Sequence, residues 1–352
     1  TIFTAYGQVT ISSTRFPIMA SSTPPSASFS EYLDQAKSYL DNLSPLGKAA
    51  VAGGAGFVIY MHYKWISSRP RKSPYVQPFA KDIVYLCQFP RCSAVPNLSP
   101  FCLKLETWLR IADIPYKNVE NFPITYRSRE GTLPFVELNG IEYPDSGLAI
   151  RDLSSILKKE SLEIHLNDEQ RSTARSFEIL AEQDLWPMFL KFREQHIDEL
   201  LTLQPQNIFG SLTKIFNFFT KYLITTNTEN KLFYSGIGKH SEQDLVRLSE
   251  EDILAISKYL GTKHYLTGFK ATRVDAAVFG VLAQIVYLPF ETPQKKYVFQ
   301  KCPNLKDYCE RIKNRYWPDW EEATKKFSMK SDWKRKTPTP SPHLTPNGKS
   351  LS

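Results

Sequence analysis

The sequence lacks the motifs that mark several common enzyme classes. Its 352 residues contain no phosphate-binding glycine loop, no Ser-His-Asp order and no EF-hand loop, which argues against nucleotide hydrolysis, serine-hydrolase chemistry and calcium binding. Its five cysteines are an odd number at irregular spacings, without a Cys-x-x-Cys pair or a neighbouring histidine ladder. We infer a reducing compartment, buried structural thiols and no metal site.

A basic charge spread over the whole chain is also absent. Much of the formal net charge of +8 lies in one tail, since five lysines and arginines stand against one aspartate from Ser328 onward. This distribution does not indicate a nucleic-acid partner. A hydrophobic content of 42% and a length of 352 residues are sufficient for two or more domains with a sizeable core.

Residues 49–61 are uncharged and almost wholly apolar, but they fall short of the ~20 residues of a typical membrane-spanning helix. Flanking lysines can reach the headgroups, and nearby aromatic residues suit a membrane interface: Lys48, Lys64, Tyr60, Tyr63 and Trp65. We therefore predict a single-pass membrane anchor, with a buried helix or a glycine-rich linker as the alternatives. The basic residues that follow predict that the globular part is cytosolic, at the mitochondrial outer membrane or the endomembrane system.

The sequence divides into six predicted regions. These are a disordered N-terminus at 1–28, an amphipathic helix and anchor at 29–66, a linker at 67–80, a thioredoxin-like domain at 81–160, a helical domain at 168–326, and a disordered basic tail at 327–352.

The start of the thioredoxin-like domain is the most informative stretch. An apolar, β-branched run at 82–88 predicts a strand. Ser99 is a favoured N-cap residue, Pro100 suits the first helical position, and apolar residues then recur at helical spacing. The predicted helix start offers backbone N–H groups to an anion, although Ser99 could simply cap the helix.

The rest of this domain is predicted as strands at 116–118, 132–138 and 141–143, followed by a helix from Asp145 and Ser146 to Leu157. Asn139-Gly140 between apolar runs predicts a hairpin. Helices are then predicted at 168–203 with an interruption at Pro187, and at 208–224 and 241–260. Thr272 and Asp275 match a capping box.

This order of elements, with TLPFVELNG and YPDSGLAI, resembles the N-terminal domain of glutathione transferases. More narrowly, VYLCQFPR and PNLSPFCLKLETWLRIADIPYKN resemble the failed axon connections and cadmium-responsive protein family, with the metaxins as more distant relatives. The resemblance covers about residues 82–320, and residues 303–323 resemble the closing helix of the C-terminal domain of glutathione transferases. It implies an α/β thioredoxin-like domain followed by an all-helical, glutathione-transferase-like domain.

The resemblance also implies a glutathione site. Ser99 would donate a hydrogen bond to the glutathione sulfur and favour its thiolate. Pro134, as a cis-proline, would turn the Leu133 backbone toward the ligand, while Asp145 and Ser146 would bind the γ-glutamyl end. Ser99 occupies the place of the attacking cysteine in dithiol redox sites, so Cys102 is predicted to be a core residue.

Two functions remain open. The first is a transferase of EC 2.5.1.18 type that presents glutathione to a small electrophile in stress or detoxification, and the resemblance implies a dimer. The second is a non-catalytic interaction module at a membrane, as in axon development or in the metaxins, with a homo- or heterodimeric partner.

Overall fold

The computed structural model describes residues 37–38, 41–67, 73–120, 126–205, 221, 224–226, 228–230 and 232–332. The predicted disordered segment 1–28, most of the amphipathic helix at 29–43, the helix start at 208–220 and the tail beyond 332 lie outside them. The chain divides into two units, Thr1–Arg69 and Pro70–Ser352.

In the first unit, helix α1 spans Pro45–Ser67, which is 23 residues. A helix of that length is about 34 Å long, comparable to the hydrocarbon core of a bilayer. Glycine and alanine dominate its middle, however, and add little apolar surface. No helix among the described residues is both long and apolar enough to cross a membrane. The predicted single-pass anchor is therefore wrong, and the membrane and cytosolic-side assignments that depended on it lose their basis.

The second unit begins with a four-stranded sheet whose order is β2-β1-β3-β4. The strands are β1 (Val84–Cys87), β2 (Tyr116–Asn118), β3 (Phe135–Leu138) and β4 (Ile141–Pro144). β1 pairs with β2 in parallel and with β3 in antiparallel fashion, and β3 pairs with β4. Asn139 and Gly140 both have positive φ angles, so they form the predicted hairpin turn.

Helices follow the sequence periodicity closely. They are α2 (Pro100–Ile111), α3 (Ser146–Ile156), α4 (Asp168–Ile179), α5 (Trp186–Glu194), α6 (Ile197–Thr202), α7 (Glu242–Leu260), α8 (Arg273–Tyr287), α9 (Pro293–Lys301), α10 (Pro303–Tyr316) and α11 (Trp320–Lys325). A π-helical segment, Leu180–Leu185, joins α4 to α5 and ends just before Pro187. The prediction of a thioredoxin-like domain followed by a helical domain is confirmed.

Helix α2 is the central element of this unit because the sheet lies on one side of it and α8 on the other. Its residues from Cys102 to Ile111 are all buried, and so are those of α8 from Val274 to Val286. The capping box of Thr272 and Asp275 fixes the start of α8. The core therefore runs continuously from the sheet into the helical domain.

The opposite face of the sheet is covered by chain without regular structure. The buried Glu137 carboxylate on β3 accepts hydrogen bonds from the backbone N–H groups of Tyr75 and Val76, at 2.7 and 2.9 Å. The Tyr75 ring lies 4.7 Å from that of Tyr126, centroid to centroid, over the buried Cys87 and Phe135. Residues 73–80 of the predicted linker therefore form part of the folded unit.

Gly280 allows α2 and α8 to approach closely. A Cβ atom at Gly280 would lie 2.6 Å from the backbone oxygen of Pro100. We expect Gly280→Ala to lower the free energy of unfolding by about 1–3 kcal/mol, because a backbone atom cannot move aside as a side chain can. Chemical denaturation of the purified chain measures this loss.

Gly54→Ala is the control for that substitution, since its added Cβ would meet no atom within 4 Å. We expect this change to cause no destabilisation, because alanine is the better helix former. Equal stabilities of the Gly280→Ala and natural proteins would show that the close approach imposes no constraint.

Candidate functional site

Ser99 is the N-cap residue of α2, as predicted. Its backbone has φ −90° and ψ 120°, and its Oγ accepts a hydrogen bond from the Cys102 N–H at 3.4 Å. Its own N–H donates to Asn97 Oδ1 at 2.9 Å. The hydroxyl is half-buried at the positive end of the helix, where it could also meet an anionic ligand atom.

Cys102 is a core residue, with no exposed surface. Burial raises the pKa of its thiol to about 12, although backbone groups and the Ser99 hydroxyl oppose the shift. The other four thiols, Cys87, Cys92, Cys302 and Cys309, are buried as well. Thiolate chemistry at this site would therefore need a thiol supplied by a ligand.

The register of the sheet brings the other predicted site residues to the same end. Phe135, the first residue of β3, pairs with Cys87 at the end of β1 and with Pro144 at the end of β4. Leu133 and Pro134 immediately precede Phe135, and their peptide bond is cis. Asp145 follows β4 and caps α3, since its Oδ1 accepts from the Gly147 and Leu148 N–H groups at 2.7 and 2.9 Å.

A cleft of about 470 Å³ lies beside the starts of α2 and α3. Asp145 and Ser146 line it, whereas Ser99, Leu133 and Pro134 are not among its lining residues. The remaining wall comes from α2, α3, α4 and the π-helical segment, through Phe101, Lys104, Gly147, Leu148, Arg151, Arg175, Glu178, Ile179, Glu182 and Gln183. The structure thus places two of the five predicted residues in the lining of the cleft and three outside it.

The cleft contains paired charges of both signs. Lys104 Nζ, which is almost fully buried, lies 3.2 Å from Glu178 Oε1 and 2.6 Å from Glu182 Oε1. Burial raises the pKa of the Glu182 carboxyl, and Lys104 only partly opposes this. Burial would also raise the pKa of Glu178, but Lys104, Arg273 and Arg151 hold it below its usual value.

The sequence analysis missed Lys104 and its two glutamates. A signal was present, because Lys104 lies three residues after Phe101 and four before Trp108, on the apolar side of the predicted helix. A charged residue at such a position needs a buried partner. Its partners follow more than seventy residues later and could not be located from spacing.

Polar residues between Gln88 and Asn118 form a buried network around the Glu106 carboxylate. Arg91 donates to both oxygens of Glu106, each at 2.7 Å, and Gln88 Nε2 donates to Glu106 Oε2 at 2.8 Å. Tyr116 and Asn118 on β2 add donors at 3.0 and 3.1 Å. These residues therefore build the fold and do not line the cleft.

A chain of hydrogen bonds links this network to Ser99. Gln88 accepts from Asn97 Nδ2 at 3.2 Å through its Oε1, while its Nε2 donates to Glu106. Asn97 in turn accepts from the Ser99 N–H and donates to the Phe89 carbonyl at 2.8 Å. The loop between β1 and α2 is therefore fixed from Glu106 to the helix start.

The same network reaches the C-terminal helices. Arg110 forms a bidentate pair with Asp319, and its guanidinium carbon lies 3.6 Å from the centroid of the Trp317 ring. Trp317 Nε1 donates to Thr107 Oγ1 at 3.0 Å. Helix α2 is thus connected by charge-assisted bonds to the end of the helical domain.

Two family descriptions match the chain. Residues 100–197 match the glutathione S-transferase N-terminal domain, and residues 249–312 match the glutathione S-transferase C-terminal domain. Failed axon connections of Drosophila melanogaster is 36% identical over 263 residues, which cover 71% of this chain and 62% of that protein. The chain therefore matches less than two thirds of the length of this relative.

Two further relatives are more distant. The isoprene-epoxide–glutathione S-transferase of a Rhodococcus species is 28% identical over 63% of this chain and 94% of its own length. Metaxin-2 of Mus musculus is 22% identical over 62% of this chain and 82% of its own length.

The buried Glu106 network generates a prediction about stability. Arg91 and Arg110 would each lose charge compensation in Glu106→Gln, because both are almost fully buried. We expect the substitution to cost about 3–5 kcal/mol of unfolding free energy at neutral pH. Glu321→Gln removes an exposed partner of Lys325 and is the control. It should change the unfolding free energy by less than about 1 kcal/mol.

The pH dependence of this difference is a second measurement. Burial alone would raise the pKa of the Glu106 carboxyl, but Arg91, then Arg110 and Gln88, hold it well below its usual range. The carboxylate therefore stabilises the folded state above the unfolded pKa of about 4.3, and the contribution is lost as the pH falls below it. The difference in unfolding free energy between the natural and Glu106→Gln proteins should become smaller in acid. A gap independent of pH would contradict this assignment.

Proposed function

Because the chain belongs to the glutathione-transferase-fold family that includes failed axon connections and the metaxins, we propose that it binds glutathione at the cleft beside α2 and α3. The observation that supports this most directly is the position of Ser146 and Asp145. Both line the cleft, and both lie at the start of α3, next to the end of the sheet that Leu133 and Pro134 precede.

The charges of the cleft suit the γ-glutamyl end of glutathione, which has an ammonium and a carboxylate group. In the proposed complex, Asp145 and Glu182 face the ammonium, while the Ser146 hydroxyl and Arg151 face the carboxylate. Charge-assisted hydrogen bonds of this kind are about twice as strong as neutral ones. The cysteinyl backbone would pair with Leu133, and its sulfur would lie near Ser99.

Ser99 would act on the sulfur through its hydroxyl proton. Its oxygen accepts from the Cys102 N–H, and a hydroxyl group that accepts one bond can donate another. Donation to the glutathione sulfur, together with the positive helix end, favours the thiolate. The thiolate could then attack an electrophilic carbon such as that of an epoxide. A C–S bond forms, the C–O bond breaks, and the oxygen takes a proton from solvent.

A non-catalytic interaction module is the second candidate function. The internal ion pairs of Lys104 already partner two of the acidic groups of the cleft, so a ligand must compete with them. The polar residues of PNLSPFCLKLETWLRIADIPYKN, which resembles the failed axon connections family, also take part in the buried Glu106 network. A protein with this fold can act in assembly without catalysing a reaction, because a fold does not determine function.

Calorimetric titration of the full chain with glutathione separates the two functions. We expect binding in the micromolar to low millimolar range, weakened about fivefold to tenfold by Ser146→Ala through the loss of one hydrogen bond. Ser155→Ala is the matched control, because Ser155 is exposed on the same helix, and it should bind like the natural chain.

Ser99→Ala tests activation separately from binding. This variant should keep most of the glutathione affinity but lose the ultraviolet absorbance of the bound thiolate at neutral pH. Its folding should be checked by circular dichroism, since removal of an N-cap costs about 1 kcal/mol. No binding to the natural chain at several millimolar glutathione would exclude the transferase and leave the interaction module.

A further inference from the structure

The chain after α11 crosses the open edge of the sheet. Phe327 has a φ angle of 51°, and the Ser328 N–H donates to the Glu322 carbonyl at 3.0 Å, so the chain turns back as α11 ends. The six residues 327–332 are called the C-terminal strap below. They run past β2, which is the outermost strand next to β1.

Two buried side chains of the body donate to successive carbonyl groups of the strap. Arg91 Nε donates to the Ser328 carbonyl, and Asn118 Nδ2 donates to the Met329 carbonyl, both at 3.0 Å. Each of these side chains also donates to Glu106, which fixes its orientation. The body therefore presents two pre-oriented donors that recognise main-chain atoms, which are common to any peptide.

The edge strand supplies the third contact. The Pro115 carbonyl and the Val119 N–H bond to β1, and strand alternation directs the backbone groups of Tyr116 and Asn118 to the open side. The Tyr116 carbonyl on that side accepts a hydrogen bond from Ser331 Oγ at 2.5 Å. An open strand edge is a common docking place for an extended segment.

The strap lies at the surface. None of residues 327–332 is fully buried, and Lys330 and Asp332 are exposed. A cleft of about 720 Å³ runs along it, and its lining outside the strap consists of Glu120, Glu322 and Lys326. The strap itself contributes one charge of each sign to this cleft, Lys330 and Asp332.

We propose that Arg91, Asn118 and the open edge of β2 form a recognition site for an extended, serine-containing peptide from another protein, and that the strap is its resident intramolecular ligand. The recognised peptide has two successive free carbonyl groups followed, two residues later, by a hydroxyl side chain. The strap occupies the site until such a segment competes with it. This site is separate from the cleft that contains Ser146.

A labelled peptide with the sequence of residues 326–332 tests the site by fluorescence anisotropy against the full chain. Ser331→Ala in the chain weakens the resident ligand without changing the site, so the probe should bind about fivefold more tightly than to the natural chain. Asn118→Ala also loosens the strap but removes a donor of the site, so no such gain is expected. Lys325→Ala, just outside the strap, should match the natural chain.

Tryptic cleavage after Lys326 and Lys330 reports strap release in each variant. Both Ser331→Ala and Asn118→Ala should be cleaved faster than the natural chain. A probe with alanine in place of its serine at 331 should lose the gain seen with the Ser331→Ala chain. The proposal is overturned if the two loosened variants bind the probe equally, if neither binds it, or if Ser331→Ala leaves the cleavage rate unchanged.

Discussion

The buried carboxylate of Glu106 is the interaction on which the second unit depends most. It accepts bonds from two arginines, Gln88, Tyr116 and Asn118, which belong to the β1–α2 loop, to α2 itself and to β2. A buried charge of this kind is tolerated only when every partner is present. The network therefore specifies one arrangement of loop, helix and edge strand.

That arrangement determines where the candidate site can lie. Asn97 connects the network to Ser99, while Gly280 lets α8 contact the first turn of α2. With α2 fixed at this end, Lys104 points toward the π-helical segment and meets Glu178 and Glu182. The charges of the cleft are thus a consequence of how α2 is packed.

Both proposed sites depend on α2, but through different residues of that helix. Phe101 and Lys104 line the cleft, whereas Glu106 orients the two donors that bind the strap. The cleft uses the start of α2 and α3, whereas the strap covers the side of the network formed by Arg91 and Asn118. Neither site needs a protein thiol, since all five cysteines are buried. Both proposed sites would bind their ligands through charge and hydrogen bonding.

Local sequence determined the strands, the capped helices and their order, because period-2 and period-3.6 patterns, Asn139-Gly140 and the N-caps act over a few residues. The candidate site residues Ser99, Leu133, Pro134, Asp145 and Ser146 came from the resemblance to glutathione transferases, and their role in binding glutathione stays a prediction. The failure of the local sequence was α1, where a short uncharged run suggested a membrane anchor that the composition of the helix does not support. Only the tertiary structure decided that Lys104 pairs with Glu178 and Glu182, that the motif serves Glu106, and that the strap lies on β2. The Lys104 pairs and the strap contacts join residues from about seventy to more than two hundred positions apart, whereas the partners of Glu106 lie four to eighteen positions from it. In both cases packing, and not sequence spacing alone, sets which buried charges pair.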